Sequence, residues 1–163
     1  MKVIFLDFDG VLNSDAYFEK LGPLPRKQEH APPPGVPEDF AQIDAEAVAR
    51  LSVIVARTGA VVVLSTTWRY LFDLDVIESA LAAFGFVGEI IGRTPTDPIQ
   101  RGEQIAAWIR HQPSPPESYV VLDDDDVDIL GEVRDRLIKT DFKDGLQDRH
   151  VETAVALLGV TGD

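Results

Sequence analysis

Cysteine is absent from the 163 residues of this chain. Its absence excludes disulfide bonds, thiol catalysis and zinc sites that depend on cysteine ligands. Long apolar runs are also missing, and the short apolar run at the amino terminus ends in acidic residues, unlike a signal peptide or a membrane span. We therefore expect a cytoplasmic protein that has no membrane partner.

Positive charge is scarce as well, with 15 lysines and arginines against 28 aspartates and glutamates, a formal net charge of −13. A body this acidic repels a phosphate backbone on average, which disfavours broad nucleic-acid binding but leaves room for a local basic groove. Hydrophobic residues make up 45% of the chain, which is enough for a core. The length suits one domain over residues 1–163.

The glycine-rich motifs that bind nucleotide phosphates and the GxSxG turn of serine hydrolases do not occur in the sequence. The three histidines do not have the spacing of metal ligands either. Any chemistry must therefore come from other side chains.

Short apolar runs predict buried strands at 2–6, 61–64 and 119–122, because they show no alternation of apolar and polar residues. Weaker runs predict strands at 88–91 and 136–140. Five strands separated by helical segments are typical of a parallel sheet covered by helices on both faces. The expected fold is a three-layer α/β/α arrangement around a central parallel five-stranded sheet.

Apolar residues at helical spacing predict the helices between these strands. One helix begins after the N-cap residue Asp44 and ends at Gly59, and the others are expected at 75–84, 101–110 and 148–158. The region 22–37 holds six of the 11 prolines and is predicted to be a loop or a flap. It leaves room for at most a minimal cap.

Acidic residues follow two of the strongest predicted strands, Asp7 and Asp9 after the first and Asp123 and Asp124 after the third. The carboxyl ends of parallel strands share one edge of the sheet, where α/β proteins bind ligands. Carboxylates that converge there repel one another unless a cation lies between them, and oxygen ligands suit Mg²⁺. Solvated acids at the strand ends are the alternative for each motif taken alone.

Hydroxyl and cationic side chains lie near the same edge. Ser65 and Thr66 follow the second strand and are candidates to bind phosphate or to cap a helix. Arg69 is a candidate phosphate ligand or a partner for a surface acid. Arg101 opens a helix at the end where the macrodipole favours acids, which hints at a function beyond a solvent-exposed position.

Three segments in this order, FLDFDGVL, VVVLST and YVVLDD, resemble the haloacid dehalogenase (HAD) superfamily of phosphohydrolases. The segments VVVLSTTWR, RGEQIAAW and TDFKDGL resemble the HAD domain of Swiss Army Knife RNA repair proteins. The resemblance spans the chain from Lys2 to about Leu158. It implies a Rossmann-like HAD fold and hydrolysis of phosphomonoesters.

The resemblance also implies roles for individual residues. Asp7 would be the nucleophile that forms an aspartyl-phosphate, and Asp9 the general acid and base. Ser65, or Thr66 in its place, would bind the transferring phosphoryl group. Arg101 would stand where the superfamily usually has a lysine.

The same resemblance implies the Mg²⁺ ligands. Asp7, Asp123 and the backbone carbonyl of Asp9 would bind the ion directly, and Asp124 would act nearby or through water. The predicted activity is a Mg²⁺-dependent phosphomonoesterase whose substrate is a small molecule, a nucleotide or a nucleic-acid end phosphate. No obligate protein partner is evident.

The alternative function is a non-catalytic phospho-acceptor or binding module, either similar to a receiver domain or a degenerate HAD domain. The DxD spacing of Asp7 and Asp9 favours the enzyme, because Asp9 supplies an acid and base that a receiver domain lacks.

Overall fold

A five-stranded parallel sheet forms the centre of the computed structural model, which describes residues 1–23 and 31–162. All strand pairs are parallel, and the spatial order is third, second, first, fourth, fifth. The strands are β1 (Lys2–Leu6), β2 (Val61–Leu64), β3 (Ile90–Arg93), β4 (Ser118–Asp123) and β5 (Leu137–Lys139).

Helices lie between and after the strands. The α-helices are α1 (Asp15–Leu21), α2 (Ala45–Thr58), α3 (Leu74–Ala83), α4 (Arg101–Arg110) and α5 (Asp148–Leu158). Among the described residues, 3-10 turns cover Glu38–Gln42, Thr67–Tyr70 and Gly131–Arg136. None of the helices in the described part of the chain is long and apolar enough to cross a membrane.

The side chains of β1 show why the domain has three layers, because they alternate between two apolar clusters. Ile4 and Leu6 pack with α2, α3 and α5 on one face of the sheet. Val3 and Phe5 pack with α4 and the third 3-10 turn on the other face. The expected α/β fold with a central parallel five-stranded sheet is confirmed.

Most predicted elements lie within one or two residues of their observed bounds. The helix after Asp44 is capped as expected, because the Asp44 carboxylate accepts from the Glu46 backbone N–H and Gly59 ends the helix in a left-handed conformation. The strand predicted at 88–91 begins two residues later. The register between β2 and β3 is irregular there, and an isolated apolar pattern cannot fix such a boundary.

Helix α1 was not predicted from the sequence. It has seven residues, too few for a clear apolar period, and Ser14 caps it by accepting from the Tyr17 backbone N–H. The Asp15 and Ala16 N–H groups donate to the carbonyls of Phe142 and Lys143. Tertiary hydrogen bonds thus fix a helix that its own sequence signals only weakly.

The predicted proline-rich loop lies partly outside the described residues, since 24–30 of the region 22–37 are not described. The described residues 31–37 form bends and turns without a helix or strand, as expected from their prolines. They lead into the first 3-10 turn, Glu38–Gln42, which contributes side chains near the candidate site.

Candidate active site

The site lies at the carboxyl end of β1, where the connections between strands run in opposite directions on the two sides of this strand. Strand β1 pairs with β2 on one side and with β4 on the other, which opens a crevice beyond their carboxyl ends. The Asp7 N–H donates to the Leu122 carbonyl at 3.0 Å, and the Ser65 N–H donates to the Leu6 carbonyl at 2.9 Å. These backbone contacts hold the three strand ends side by side.

Three carboxylates meet in this crevice. Asp7, Asp123 and Asp124 each offer an oxygen, and the three oxygens lie within 4.8 Å of one another. Asp7 is only 4% exposed and Asp123 is fully buried, so neither can be a simply solvated acid. The structure therefore brings together the acids that the sequence places more than 100 residues apart.

Arg101 is the cation nearest to these acids among the described residues. Its Nη1 donates to Asp7 Oδ2 at 2.9 Å and to Asp123 Oδ2 at 2.5 Å. Burial opposes its charge, but the two carboxylates outweigh burial and raise the pKa of Arg101. The first residue of α4 is thus directed into the acid cluster rather than into solvent, as its position against the macrodipole suggested.

One guanidinium does not neutralise three carboxylates. Burial, together with the remaining negative charge, raises the pKa of each of the three acids. Burial and the Asp7 charge raise the pKa of Asp123 to about 7. Burial also raises the pKa of Asp7, against the opposing effect of Arg101, and burial with Asp7 raises that of Asp124. A divalent cation would remove this penalty, and an all-oxygen donor set fits Mg²⁺.

Position 10 requires glycine because the turn after β1 approaches the acid cluster closely. Its φ is +71°, and a Cβ built on it would lie 2.5 Å from Asp124 Cγ. The Thr140 hydroxyl donates to the Gly10 carbonyl at 2.7 Å and fixes the turn from the other side. A larger residue at position 10 would push Asp124 out of the cluster.

Asp9 is oriented by contacts of its own, separate from the three clustered acids. Its Oδ1 accepts from Asn13 Nδ2 at 2.8 Å, and its Oδ2 accepts from Trp68 Nε1 at 3.1 Å. Asn13 is itself held by the Gly10 N–H, which donates to Asn13 Oδ1. Sequence analysis missed both donors, because neither residue type signals such a contact before the fold is known.

The two hydroxyls after β2 have different surroundings. Thr66 Oγ1 accepts from the Trp68 backbone N–H at 3.3 Å and caps the second 3-10 turn. Ser65 is fully buried, and its Oγ has no hydrogen-bond partner among the described residues. A buried hydroxyl without a partner is costly in a folded protein, which makes Ser65 available to a bound ligand.

In the described part of the chain, Arg69 does not pair with a surface acid, which was one of the two roles suggested by the sequence. It is buried rather than on the surface, and its Nη1 donates to the carbonyls of Ser65 and Thr66. Its Nη2 donates to Gln104 Oε1 at 2.6 Å, and burial lowers its pKa. Because these contacts occupy the ends of the guanidinium, we assign Arg69 to bracing the loop. Its buried Nε has no hydrogen-bond partner among the described residues, and a contact between Arg69 and phosphate stays a prediction.

Comparison with known families gives one match, to the family model described as the HAD domain in Swiss Army Knife RNA repair proteins, over residues 3–151. The chain belongs to this family. Searches of curated proteins and of solved structures give no significant match. The matched residues include β2 to β5, all of β1 except Lys2, and every candidate site residue of this HAD domain.

Membership of the HAD superfamily places the protein among HAD-type phosphohydrolases. The superfamily generally uses Mg²⁺, and the buried acid cluster of this HAD domain supplies ligands of the matching type. Asp7, Asp123, Asp124 and Arg101 come together as the sequence suggested. Asp9 and Ser65 border them from the ends of neighbouring strands.

Proposed function

We propose that this HAD domain is a Mg²⁺-dependent phosphomonoesterase that acts through an aspartyl-phosphate on Asp7. The observation that supports the proposal most strongly is the buried cluster of Asp7, Asp123 and Asp124 with Arg101 donating into it. Three clustered carboxylates around one guanidinium disfavour folding through charge repulsion, which a bound cation would offset.

In the first step an Asp7 carboxylate oxygen attacks phosphorus while the bond from phosphorus to the leaving oxygen breaks. Asp9 gives a proton to that oxygen, so the alcohol leaves neutral. In the second step Asp9 takes a proton from water, the water oxygen attacks phosphorus, and the bond to Asp7 breaks to release phosphate. Together the two steps return Asp7 to its free carboxylate and Asp9 to its protonated form.

The other residues bind and orient the phosphoryl group. The buried Ser65 hydroxyl, which has no hydrogen-bond partner among the described residues, would hydrogen-bond a phosphoryl oxygen, with Thr66 keeping the loop in place as its N-cap. Arg101 holds Asp7 against Asp123 and offsets the charge of the incoming phosphate. Mg²⁺ held by Asp7, Asp123 and Asp124 would supply further charge neutralisation at the phosphoryl oxygens.

The substrate is proposed to be a phosphomonoester, either a small molecule, a nucleotide or a nucleic-acid end. The alternative of a non-catalytic phospho-acceptor lacks support from a specific contact. Asp9, held by a donor on each of its oxygens, would supply the acid and base that an acceptor module does not need.

The test is phosphate release from p-nitrophenyl phosphate with Mg²⁺ and with EDTA. The Asp7→Asn variant is expected to lose about a thousandfold or more in kcat/KM. Asp15→Asn, which makes the same change at an exposed position in α1, serves as the matched control. Phosphorylation of Asp7 without release of phosphate would favour the acceptor module, and release that persists in Asp7→Asn would contradict the proposal.

A further inference from the structure

A second cavity lies beside Asp9, apart from the acid cluster. Its volume is about 230 Å³, and it contains none of the three clustered acids. Its lining residues come from the turn after β1, from the first 3-10 turn, and from the second 3-10 turn with the two residues that follow it; they are Asp9, Asp39, Gln42, Trp68, Leu71 and Phe72. The proposed general acid is therefore shared between the phosphate site and this cavity.

One wall of the cavity is apolar and firmly packed. The Phe72 ring lies 5.0 Å from the Phe40 ring and 6.0 Å from the Trp68 ring, measured between centroids. Leu71 sits next to this cluster yet is 73% exposed. An exposed leucine on a rigid aromatic base offers a flat apolar surface to whatever enters the cavity.

The opposite wall is polar and connected to Asp9. Asp39 has an exposed carboxylate, and Gln42 Nε2 donates to the Asp39 carbonyl at 3.0 Å. Gln42 Oε1 accepts from Asn13 Nδ2 at 3.4 Å, and the same Asn13 group donates to Asp9. A group that hydrogen-bonds Gln42 would thus touch the chain of contacts that orients the general acid.

The charges of this cavity limit what it can hold. Asp9 and Asp39 are acidic, and among the described residues that line it there is no cation. An anionic occupant would be repelled, whereas hydroxyl groups could donate to carboxylate and amide oxygens. A ring that presents an apolar face and a hydroxyl-bearing edge matches both walls, which is the chemistry of a sugar.

We propose that this cavity binds the leaving group of the phosphomonoester and selects an uncharged, hydroxyl-bearing ring of the sugar class. The inference rests on the proposed function, because Asp9 marks the leaving-group side only if it is the general acid. The volume is below the range of about 300–1,000 Å³ typical of pockets for drug-sized ligands, which suits one ring.

The experiment compares kcat/KM for four esters. Ribose 5-phosphate and adenosine 5′-monophosphate carry a sugar leaving group, from a free sugar and a nucleotide respectively. Fructose 1,6-bisphosphate releases a sugar that still carries a phosphate, and p-nitrophenyl phosphate releases p-nitrophenol, which has no sugar hydroxyls. We expect kcat/KM for the better of the two esters with an uncharged sugar leaving group to exceed that for the bisphosphate by about tenfold or more. Which of these two esters is better would identify whether the sugar comes from a free sugar or from a nucleotide.

The variant Asp39→Lys tests the charge of the polar wall. It is expected to reduce the preference for the uncharged sugar ester over the bisphosphate by about tenfold. Glu78→Lys makes the same change of net charge at an exposed position of α3 and should leave the preference unaltered. Leu71→Ser is expected to raise KM for the sugar ester about threefold or more, because it removes part of the apolar wall.

The outcomes separate the two proposals. Phosphate release that depends on Asp7 would overturn the leaving-group inference alone if the sugar preference were absent or unchanged by Asp39→Lys, or if KM for the sugar ester were unchanged by Leu71→Ser. No release that depends on Asp7 from any of the four esters would overturn the proposed function and this inference with it.

Discussion

Arg69 Nη2 donates a hydrogen bond to Gln104 Oε1 across 2.6 Å, and this buried contact joins two loops beneath the candidate site. Arg69 braces the loop that carries Ser65. Gln104 Nε2 donates to carbonyls of the loop before α4, including that of Pro98 at 2.8 Å. The pair thereby fixes where α4 begins, and α4 begins with Arg101.

Replacing Gln104 with leucine is expected to lower the free energy of unfolding by about 2–4 kcal/mol. The change introduces an apolar side chain of similar size, removes the acceptor of the short hydrogen bond from Arg69 Nη2, and removes the donor to several loop carbonyls. Urea denaturation measures the effect. Gln112→Leu, at a partly exposed position just after α4, is the control and should change the free energy by less than about 0.5 kcal/mol. Equal effects of the two variants would contradict the bracing role.

Substituting Gly10 with alanine should disturb both stability and metal binding. The new Cβ would overlap Asp124, and the alanine would also have to adopt a positive φ. Gly85→Ala also adopts a positive φ but meets no atom within 4 Å, so it isolates the cost of the backbone conformation, about 1 kcal/mol. We expect only Gly10→Ala to weaken Mg²⁺ binding in calorimetric titration, and similar Mg²⁺ affinities for both variants would argue against the close approach.

Mg²⁺ is expected to raise the melting temperature of the wild-type protein, because an ion that binds only the folded state stabilises it. At 100 times the dissociation constant the gain is about 2.7 kcal/mol. Asp123→Asn should abolish the shift. Asp125→Asn, at the exposed acid two residues later, should retain it, since Asp125 is outside the clustered acids. Differential scanning calorimetry with Mg²⁺ and with EDTA distinguishes these results.

His150 predicts a pH dependence of stability away from the acid cluster. Its Nδ1 accepts from the Gln147 N–H at the start of α5, which requires the neutral ring. Burial lowers the pKa of His150, with Arg149 adding to the effect and Asp144 opposing it. Between its folded pKa and the unfolded value of 6.5, the unfolded chain binds more protons. Stability is therefore lost as the pH falls below about 6.5.

The variant His150→Gln keeps a side chain that can accept from the same N–H but does not titrate. It should remove about 1 kcal/mol of pH-dependent stability between pH 7 and pH 5, measured by urea denaturation at each pH. His111→Gln removes an exposed histidine and should leave the dependence in place. A wild-type profile unchanged by His150→Gln would show that the cap is not responsible.

The sheet and the acid cluster could be predicted from the sequence because both depend on local patterns. Buried parallel strands have unbroken apolar runs, and the carboxyl ends of such strands share an edge, so Asp7 and Asp123 were expected together. The bounds of β3 and the existence of α1 were not predicted, since an irregular register and long-range backbone contacts determine them.

The contacts that orient the site could not be read from the sequence. Trp68 binds Asp9 across 59 positions, and Gln104 binds Arg69 across 35. Neither tryptophan nor glutamine has a spacing rule that signals a partner so distant. Arg69 was expected to bind phosphate or a surface acid. Its burial among backbone carbonyls was not predicted, because this burial depends on how the loops pack.

Trp68→Phe should reveal whether the indole N–H orients Asp9 for proton transfer. Phenylalanine preserves the ring in the aromatic cluster with Phe8 and Phe40 but removes the donor to Asp9 Oδ2. Hydrolysis of an alkyl phosphate requires a proton on the leaving oxygen, so kcat is expected to fall about tenfold.

Hydrolysis of p-nitrophenyl phosphate needs little protonation of its leaving group and should be affected less than about twofold. Trp108→Phe, whose ring packs on Phe5 across the sheet, is the matched control and should affect both esters equally. Equal losses for the two esters in Trp68→Phe would mean that the indole supports the fold alone. A loss confined to the alkyl ester would link this hydrogen bond to the proton that Asp9 delivers, because only that ester depends on it.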